Sequence, residues 1–330
     1  MAEQRDHGGG IDAAARAQGI PADRWLDLST GINPRPYPLP ALAPRTWARL
    51  PDREMMAGLR AAAARYYGAP DPACVVPAPG SQAVIQWLPR LAPPGARVAV
   101  VGPTYNEHAA AWRAAGHRVA EVDAPPAPGD GFAVVVAVNP NNPDGRRWPG
   151  GALRDLAQAG TRVVVDEAFA DVVPDATLAG DVAGADLVVL RSFGKFFGLA
   201  GLRLGFAIAA PPLATDLAAA LGPWAVSGPA AKVAAAALTD GAWIAETRAR
   251  LAGDAARLRA LLTGAGLAVV GGTDLFVLAA HDRAPDLAAR LAGAAILVRT
   301  FPARPAWLRF GLPGTDGDFS RLAKVLSSEP

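Results

Sequence analysis

The sequence predicts an α/β protein with a large domain built on a mainly parallel sheet and a smaller α+β domain. Short, β-branched-rich apolar runs occupy residues 98–101, 119–122, 133–138, 162–165, 187–190 and 204–209. Such nearly continuous apolar runs are typical of strands that are covered on both faces. Segments with helical spacing, at 108–115 and 151–159, lie between several of these runs, and this alternation indicates a parallel sheet.

The remaining elements define three parts of the chain. After Pro229 the pattern changes to long helices at 230–238 and 243–262, and then to short strands near Leu267, Phe276, Ile296 and Leu308 before a final helix from Asp318. We therefore expect a large domain at 41–228 and a small domain at 229–330. Residues 1–40 are rich in proline and glycine and contain one helix-like segment, 11–18, so we expect an arm that contributes to the small domain and the active site.

Composition excludes several classes of protein. With 51% hydrophobic and 19% charged residues in 330, the chain has enough apolar surface to fold, which excludes an intrinsically disordered protein. The net charge is +2 and the charges are scattered, so we expect a small-molecule partner, no nucleic acid and no anionic membrane. Because no apolar run approaches about 20 residues and MAEQRDHGGG lacks a signal-peptide pattern, we expect a soluble, cytoplasmic protein.

Cysteine and histidine suggest no further chemistry. Cys74 is the single cysteine, so it cannot form an internal disulfide, and we expect a buried apolar residue. His108, His117 and His281 lack metal-ligand spacing, so we interpret them as ordinary surface or helix residues and predict no metal site.

Polar residues follow the predicted strands, at the edge where open parallel sheets bind ligands. They occupy positions 139–145, 166–169 and 191–195, and a glycine-rich segment at 198–205 comes next. Taken singly, each has an ordinary explanation. Residues 139–145 are compatible with a turn, Asp166 is compatible with a helix cap, and Lys195 is compatible with a surface amine. Their common position favours one shared site.

The combination is the one that pyridoxal phosphate requires. The cofactor needs a lysine for its Schiff base, a carboxylate at its pyridine nitrogen and cations or amides at its phosphate. Lys195, Asp166 and Arg203 fit these roles. The only other lysines, Lys232 and Lys324, have no such neighbours and are expected at the surface.

A second phosphate-binding segment is expected upstream. Gly80 and Ser81 form a turn at a predicted helix start, where free amides favour a phosphate. The alternative there is a plain N-cap by Ser81.

The pattern S-x-x-K-x-x-G-x-x-G-x-R-x-G from Ser192 to Gly205 resembles that of the fold type I pyridoxal-phosphate enzymes, the aspartate aminotransferase superfamily. The resemblance covers nearly the whole chain and implies a mixed, mainly parallel seven-stranded sheet and the coenzyme pyridoxal 5'-phosphate. It implies a cofactor site formed by Gly80, Ser81, Gln82, Tyr105, Asn142, Asp166, Ser192, Lys195 and Arg203. Of these, Lys195 and Asp166 would be catalytic, Tyr105 would stack on the ring and Asn142 would bond its hydroxyl.

The same resemblance implies that Arg309 grips the substrate carboxylate, although a sheet-edge arginine is the alternative. The chain departs from the family at two positions. Phe169 stands where many aminotransferases have a tyrosine that bonds the ring hydroxyl, so one hydrogen bond to the cofactor would be missing. Asp144 replaces the usual threonine of Asn-Pro-Thr-Gly, which we treat as neutral.

The N-terminal segment narrows the resemblance. His7-Gly8-Gly9 and residues 27–34, with Asp-Glu-Ala-Phe at 166–169, resemble the threonine-phosphate decarboxylases of cobalamin (vitamin B12) synthesis, relatives of the histidinol-phosphate aminotransferases. That resemblance implies a phosphorylated amino acid substrate bound by His7, Gly8, Gly31, Asn142, Arg299 and Arg309. Gly31 stands where relatives often have asparagine, so only backbone contact would remain there. His7 could instead belong to a disordered tail.

The implied reaction is decarboxylation of L-threonine O-3-phosphate to (R)-1-amino-2-propanol O-2-phosphate by a homodimer. One alternative is an aminotransferase of the histidinol-phosphate type, since the bond that breaks is the one held perpendicular to the cofactor ring, and spacing does not fix that angle. Another is a non-enzymatic cofactor-sensing module. The sequence has neither a helix-turn-helix pattern nor a basic patch, which argues against the module.

Overall fold

The computed structural model describes residues 7–327. The strands are β1 (Leu26–Leu28), β2 (Val75–Ala78), β3 (Arg97–Val101), β4 (Arg118–Val122), β5 (Val134–Val138), β6 (Arg162–Asp166), β7 (Leu187–Ser192), β8 (Gly205–Ala209), β9 (Ala268–Thr273), β10 (Phe276–Ala280), β11 (Ile296–Thr300) and β12 (Trp307–Gly311).

The helices are α1 (Ile11–Gln18), α2 (Pro44–Ala48), α3 (Arg53–Tyr67), α4 (Ser81–Trp87), α5 (Glu107–Ala114), α6 (Gly150–Gln158), α7 (Phe193–Phe196), α8 (Pro211–Leu221), α9 (Gly228–Ala237), α10 (Gly241–Gly264), α11 (Ala284–Gly293) and α12 (Asp316–Ser327). Among the described residues, no helix combines the length and the apolar composition that crossing a bilayer requires.

The described chain divides into two compact units. The large unit comprises Pro36–Asn142 and Arg146–Ile244. The small unit comprises residues 7–35, Pro143–Gly145 and residues 245–327.

The large unit contains a seven-stranded sheet in the order β2-β8-β7-β6-β5-β3-β4. Neighbours from β7 through β4 run parallel, whereas β8 is antiparallel to both β2 and β7. The predicted mixed, mainly parallel sheet is confirmed. The strand that follows β3 in the chain, β4, pairs with one side of β3, and the next strand, β5, pairs with the other side. The direction in which strands are added to the sheet therefore reverses between β3 and β5. Ligands bind at such reversals, beyond the carboxyl ends of the strands.

The apolar runs form the interior of this sheet. All five residues of β5 and of β8 are buried, as are the last four of β6. Helices cover the sheet, with α4, α5 and α8 contributing buried side chains such as Val84, Trp112 and Leu217 to one core. β5 and β8 contain no polar residue, as is typical of strands that are covered on both faces.

The small unit contains a five-stranded sheet in the order β1-β11-β12-β10-β9. β1 pairs in parallel with β11, and the other neighbours are antiparallel. β12 therefore lies inside the sheet with a partner on each side. This position contradicts the alternative of Arg309 as a sheet-edge arginine.

The division between the units differs from the expected boundary at 228/229. It falls after Ile244, within α10, because α9 belongs with the large unit. Seven of the ten residues of α9 are buried, and Gly228 packs against the backbone of Thr46. The expected arm also ends earlier, at Arg35 rather than at residue 40.

Candidate active site

Asp166 is the last residue of β6 and is 4% exposed. Its Oδ1 accepts a hydrogen bond from the Ala168 amide at 3.0 Å, and its Oδ2 lies 2.9 Å from Nε2 of His108. Both carboxylate oxygens of this buried residue therefore have a hydrogen-bond partner within the protein, as a buried polar group requires.

His108 was expected to be an ordinary surface or helix residue; it does lie in a helix, α5, but it is buried and contacts Asp166. It is 1% exposed, because α5 follows the loop after β3 and turns this side chain toward the end of β6. The two residues are 58 positions apart, so only the sheet order brings them together. His117 is also buried, with Nε2 at 2.8 Å from the carbonyl oxygen of Pro89.

A polar network adjoins this pair. The Tyr105 hydroxyl donates to Oε1 of Gln82 at 3.2 Å, and Nε2 of Gln82 donates to Oε2 of the buried Glu107 at 3.0 Å. The Tyr105 ring meets the His108 ring edge-on, with centroids 6.0 Å apart. The structure thus brings the predicted residues Gln82 and Tyr105 to Asp166 through His108, and it adds Glu107, which the sequence did not indicate.

The glycine that ends the Ser192 to Gly205 motif packs against the start of α4. A Cβ atom on Gly205 would lie 2.3 Å from the Ser81 amide nitrogen and 2.8 Å from the Gly80 carbonyl carbon. Only glycine permits this approach. Gly205 also pairs with Ser192 in the ladder between β7 and β8. Ser81 and Ser192 therefore both lie next to Gly205, where β7 ends and β8 begins.

Arg203 lies at the same edge. A Cβ atom on Gly80 would lie 2.8 Å from its Nη2 atom, and its Nη1 atom donates to the Ala200 carbonyl at 3.0 Å. No side chain caps α4, so the alternative of Ser81 as an N-cap is wrong. A guanidinium beside backbone amides at the start of a helix suits an anionic group.

Lys195 lies in α7, which starts directly after Ser192. Its side chain is half-buried, and Nζ lies 5.4 Å from the centroid of the Phe169 ring, within the range of a cation–π contact. Lys232 and Lys324 are exposed, as expected. Phe169 thus provides Lys195 with an apolar face.

The asparagines after β5 fix the loop next to the site. Asn141 is fully buried, accepts from the Thr104 hydroxyl at 2.6 Å and donates to the Pro103 carbonyl at 2.9 Å. These bonds join the loops that follow β3 and β5, on the two sides of the strand reversal. The half-buried Asn142 comes next in the chain.

In the small unit, Arg309 on β12 stands directly opposite Arg299 on β11. Arg309 is 7% exposed, and its Nη2 atom donates to the Ser29 carbonyl at 2.8 Å. Burial and the neighbouring Arg299 lower the pKa of Arg309 to about 10, while Asp27 acts in the opposite direction. Like charges directly opposite each other destabilise a sheet, so this pair is suited to an anionic ligand.

The arm lies in the same unit. His7 and Gly8 are exposed, and the Gly9 amide donates to the Ser29 hydroxyl at 2.7 Å. Gly31, two residues after Ser29, is buried. The hydrogen bond at Gly9 argues against a disordered tail in the described residues.

A buried ionic cluster supports the ends of β6 and β7. The Arg191 guanidinium donates to Glu167 at 2.7 Å and to Asp171 at 2.9 Å, and all three side chains are almost inaccessible. The Thr177 hydroxyl and the Leu178 amide also donate to Glu167, at 2.6 and 2.8 Å. Burial raises the pKa of Glu167, although Arg191 opposes this. The cluster fixes the residues that directly follow Asp166 and precede Ser192.

Replacing Glu167 by alanine leaves the Arg191 charge half-compensated and removes two further hydrogen-bond partners. We expect the free energy of unfolding of the large unit to fall by about 3–5 kcal/mol, measured by urea denaturation. The control is Glu121→Ala, which removes an exposed partner of Arg113 and should cost about 1 kcal/mol or less. Equal losses in the two variants would contradict a supporting role for the cluster.

Comparison with known proteins identifies the family of the chain. The family model described as "Aminotransferase class I and II" matches residues 25–326. A protein of Sinorhizobium sp. named threonine-phosphate decarboxylase is 50% identical over 334 residues, covering 97% of each chain. A protein of the same name from Pseudomonas aeruginosa is 46% identical over 327 residues, again covering 97% of each chain.

Among solved structures, histidinol-phosphate aminotransferase from Sinorhizobium meliloti in complex with pyridoxal-5'-phosphate superposes with a TM-score of 0.80. The superposition covers 96% of this chain and 94% of that one at 22% sequence identity, and it supports the fold. The expected resemblance to threonine-phosphate decarboxylases is confirmed by the relatives, and the chain belongs to the class I and II aminotransferase family.

Proposed function

We propose that this chain is a pyridoxal-phosphate-dependent decarboxylase that converts L-threonine O-3-phosphate to (R)-1-amino-2-propanol O-2-phosphate in cobalamin synthesis. The observation that carries the choice of substrate is the pair of opposed arginines, Arg299 and Arg309, beside the docked arm. Two cationic groups suit a substrate with both a phosphate and a carboxylate. The two relatives named threonine-phosphate decarboxylase support the reaction type.

The large unit fits the cofactor. Asp166 is a buried carboxylate with a hydrogen-bonded histidine, which suits a protonated pyridine nitrogen. The close approach of Gly205 to Ser81, with Arg203 alongside, suits the phosphate. Lys195 is the half-buried amine among the three lysines. When bound, pyridoxal phosphate withdraws electrons from a bond at the substrate α-carbon.

We assign the residues to the following roles. Lys195 would hold the cofactor covalently until the substrate amine displaces it, and the freed, protonated amine would then deliver a proton to the α-carbon after carbon dioxide has left. Asp166, oriented by His108, would stabilise a positive charge at the ring nitrogen of the bound cofactor. The remaining cofactor contacts are assigned to Gly80, Ser81, Gln82, Tyr105, Asn142, Ser192 and Arg203.

The substrate is assigned to residues of the small unit and to Asn142 of the large unit. Arg309 binds the carboxylate through its planar fork, and this grip sets the angle of the bond to be broken. Arg299, His7 and the Gly8 amide are assigned to the phosphate, with Gly31 contributing backbone contact, and Asn142 is the further residue assigned to the substrate.

Product analysis tests this function. The cofactor-loaded protein is incubated with O-phospho-L-threonine, and separately with L-histidinol phosphate plus 2-oxoglutarate, and the products are identified by mass spectrometry. We expect aminopropanol phosphate in the first reaction and no glutamate in the second. Glutamate in the second reaction would favour the aminotransferase alternative, and a non-enzymatic cofactor-sensing module predicts no product in either.

Replacing Arg299 by alanine should weaken the affinity for O-phospho-L-threonine by roughly ten- to a hundredfold, because a charge-assisted contact to the phosphate is lost. Any slow reaction with unphosphorylated L-threonine should change little. Steady-state kinetics with both substrates measure the difference. Arg304→Ala is the matched control, since this nearby arginine is exposed and stacks on Trp307. If Arg299→Ala lowers the affinity for both substrates equally, Arg299 does not bind the phosphate.

We also propose a homodimer. Large apolar side chains are exposed on the large unit at Leu39, Trp47, Leu50 and Trp224, with Trp47 69% and Trp224 60% exposed. Apolar surface of this kind is typical of protein–protein contacts. Light scattering of the cofactor-loaded protein should give about twice the chain mass of 33.8 kDa, and a mass near that of one chain would contradict the proposal. The cytoplasmic location stays a prediction from the sequence.

A further inference from the structure

Ser29, at the end of β1, joins the arm to a carboxylate. Its hydroxyl accepts from the Gly9 amide at 2.7 Å and donates to Oδ1 of Asp27 at 2.6 Å. The Ser29 amide donates to the same oxygen at 2.8 Å. Because an ionised carboxylate only accepts, the direction of this chain is fixed from the Gly9 amide through the hydroxyl to Asp27. Hydrogen bonds linked in one direction polarise and strengthen one another.

The carbonyl group of Ser29 faces two other partners. It accepts from Nη2 of Arg309 at 2.8 Å. A Cβ atom on Gly8 would lie 2.4 Å from the same oxygen, so the Gly8 backbone packs directly on it. Ser29 itself is 2% exposed, so water cannot replace these hydrogen-bond partners. One residue therefore contacts Gly8, Gly9, Asp27 and Arg309.

We propose that Ser29 is a positioning residue that docks the arm and orients the Arg309 guanidinium as one unit. Asp27 holds both the amide and the hydroxyl of Ser29, which fixes the direction of its carbonyl. Losing the hydroxyl releases the arm at Gly9 and loosens the acceptor on which Arg309 depends. The inference rests on the proposed function for the identity of the ligand, because it assigns the arm and Arg309 to the two anionic groups of one substrate.

The first test needs no substrate. Amide hydrogen exchange at Gly9 is measured on the cofactor-loaded wild type, on Ser29→Ala and on Ser320→Ala. We expect Ser29→Ala to speed exchange at Gly9 by roughly tenfold, since one hydrogen bond is lost. Ser320→Ala is the matched control, because it removes an exposed serine hydroxyl of the same unit that bonds the Asp316 carbonyl in α12 and not the arm, and it should exchange like the wild type.

The second test separates positioning from a general loss of structure. For O-phospho-L-threonine we expect Ser29→Ala to raise KM roughly tenfold with a much smaller change in kcat, and melting curves should show a folded protein. Gly8→Ala perturbs the same contact from the arm side and should also raise KM. The loss of binding free energy in the double variant should be smaller than the sum of the losses in the two single variants, because the effects of contacting residues are not independent.

Unchanged exchange at Gly9 in Ser29→Ala would overturn the proposal. Faster exchange with an unchanged KM would overturn it too, because arm docking and substrate binding would then be separate. If Ser29→Ala does not fold, Gly8→Ala supplies the same two measurements. If the wild type binds O-phospho-L-threonine but releases no carbon dioxide, the proposed function fails, and the affinities of the variants for this ligand still test Ser29.

Discussion

Replacing Lys195 by alanine will abolish covalent attachment of pyridoxal phosphate and lower turnover by roughly a thousandfold or more, since both the nucleophile and the proton carrier are lost. We assign the role to this lysine because it lies in α7, three residues after the end of β7, and against the Phe169 ring. The measurement combines kcat with borohydride reduction of the loaded wild type and mapping of the labelled peptide.

Lys232→Ala is the matched control. Lys232 lies in α9 and is exposed, so its removal should leave both labelling and turnover unchanged. A label on the peptide that contains Lys232 or Lys324 would show that the cofactor is attached elsewhere.

The second large effect is expected at Asp166. Asp166→Ala should lower turnover by roughly a hundred- to a thousandfold while much of the cofactor stays bound, because one preorganised charge is removed from a buried site. His108 then loses the carboxylate that lies 2.9 Å from its Nε2 atom. The absorption spectrum of the bound cofactor should change as well, because protonation of its ring nitrogen is no longer favoured.

The control for this variant is Asp155→Ala, an exposed aspartate on α6. Its turnover and spectrum should match those of the wild type. Near-normal turnover of Asp166→Ala with cofactor bound would contradict the assigned role of Asp166.

The large-unit sheet could be predicted because buried parallel strands carry a strong local signal. The six predicted runs correspond to β3 through β8 within two residues at each end, and the segment 11–18 is α1. β2 escaped prediction because it has four residues and one of them is Pro77, which disfavours a strand. β1 has three residues and pairs with β11, some 270 positions away, so its local sequence carries little information.

The site was predictable to the extent that it forms a motif. Ser192, Lys195, Arg203 and Gly205 lie within fourteen consecutive positions, and their spacing reflects the close packing of Gly205 on α4. His108, by contrast, becomes a partner of Asp166 only through the order of strands in the sheet. Ser29 likewise gains its role from Arg309, which is 280 positions away. Neither contact leaves a local pattern.

The most direct test of the proposed function is the ratio of carbon dioxide to consumed substrate. Cofactor-loaded protein is given O-phospho-L-threonine labelled at the carboxyl carbon, with 2-oxoglutarate present as an amino acceptor. Decarboxylation predicts one labelled carbon dioxide per substrate consumed, with the amino group retained in aminopropanol phosphate and no glutamate formed. Retention of the label in a keto acid, with glutamate formed in equal amount, would contradict the account.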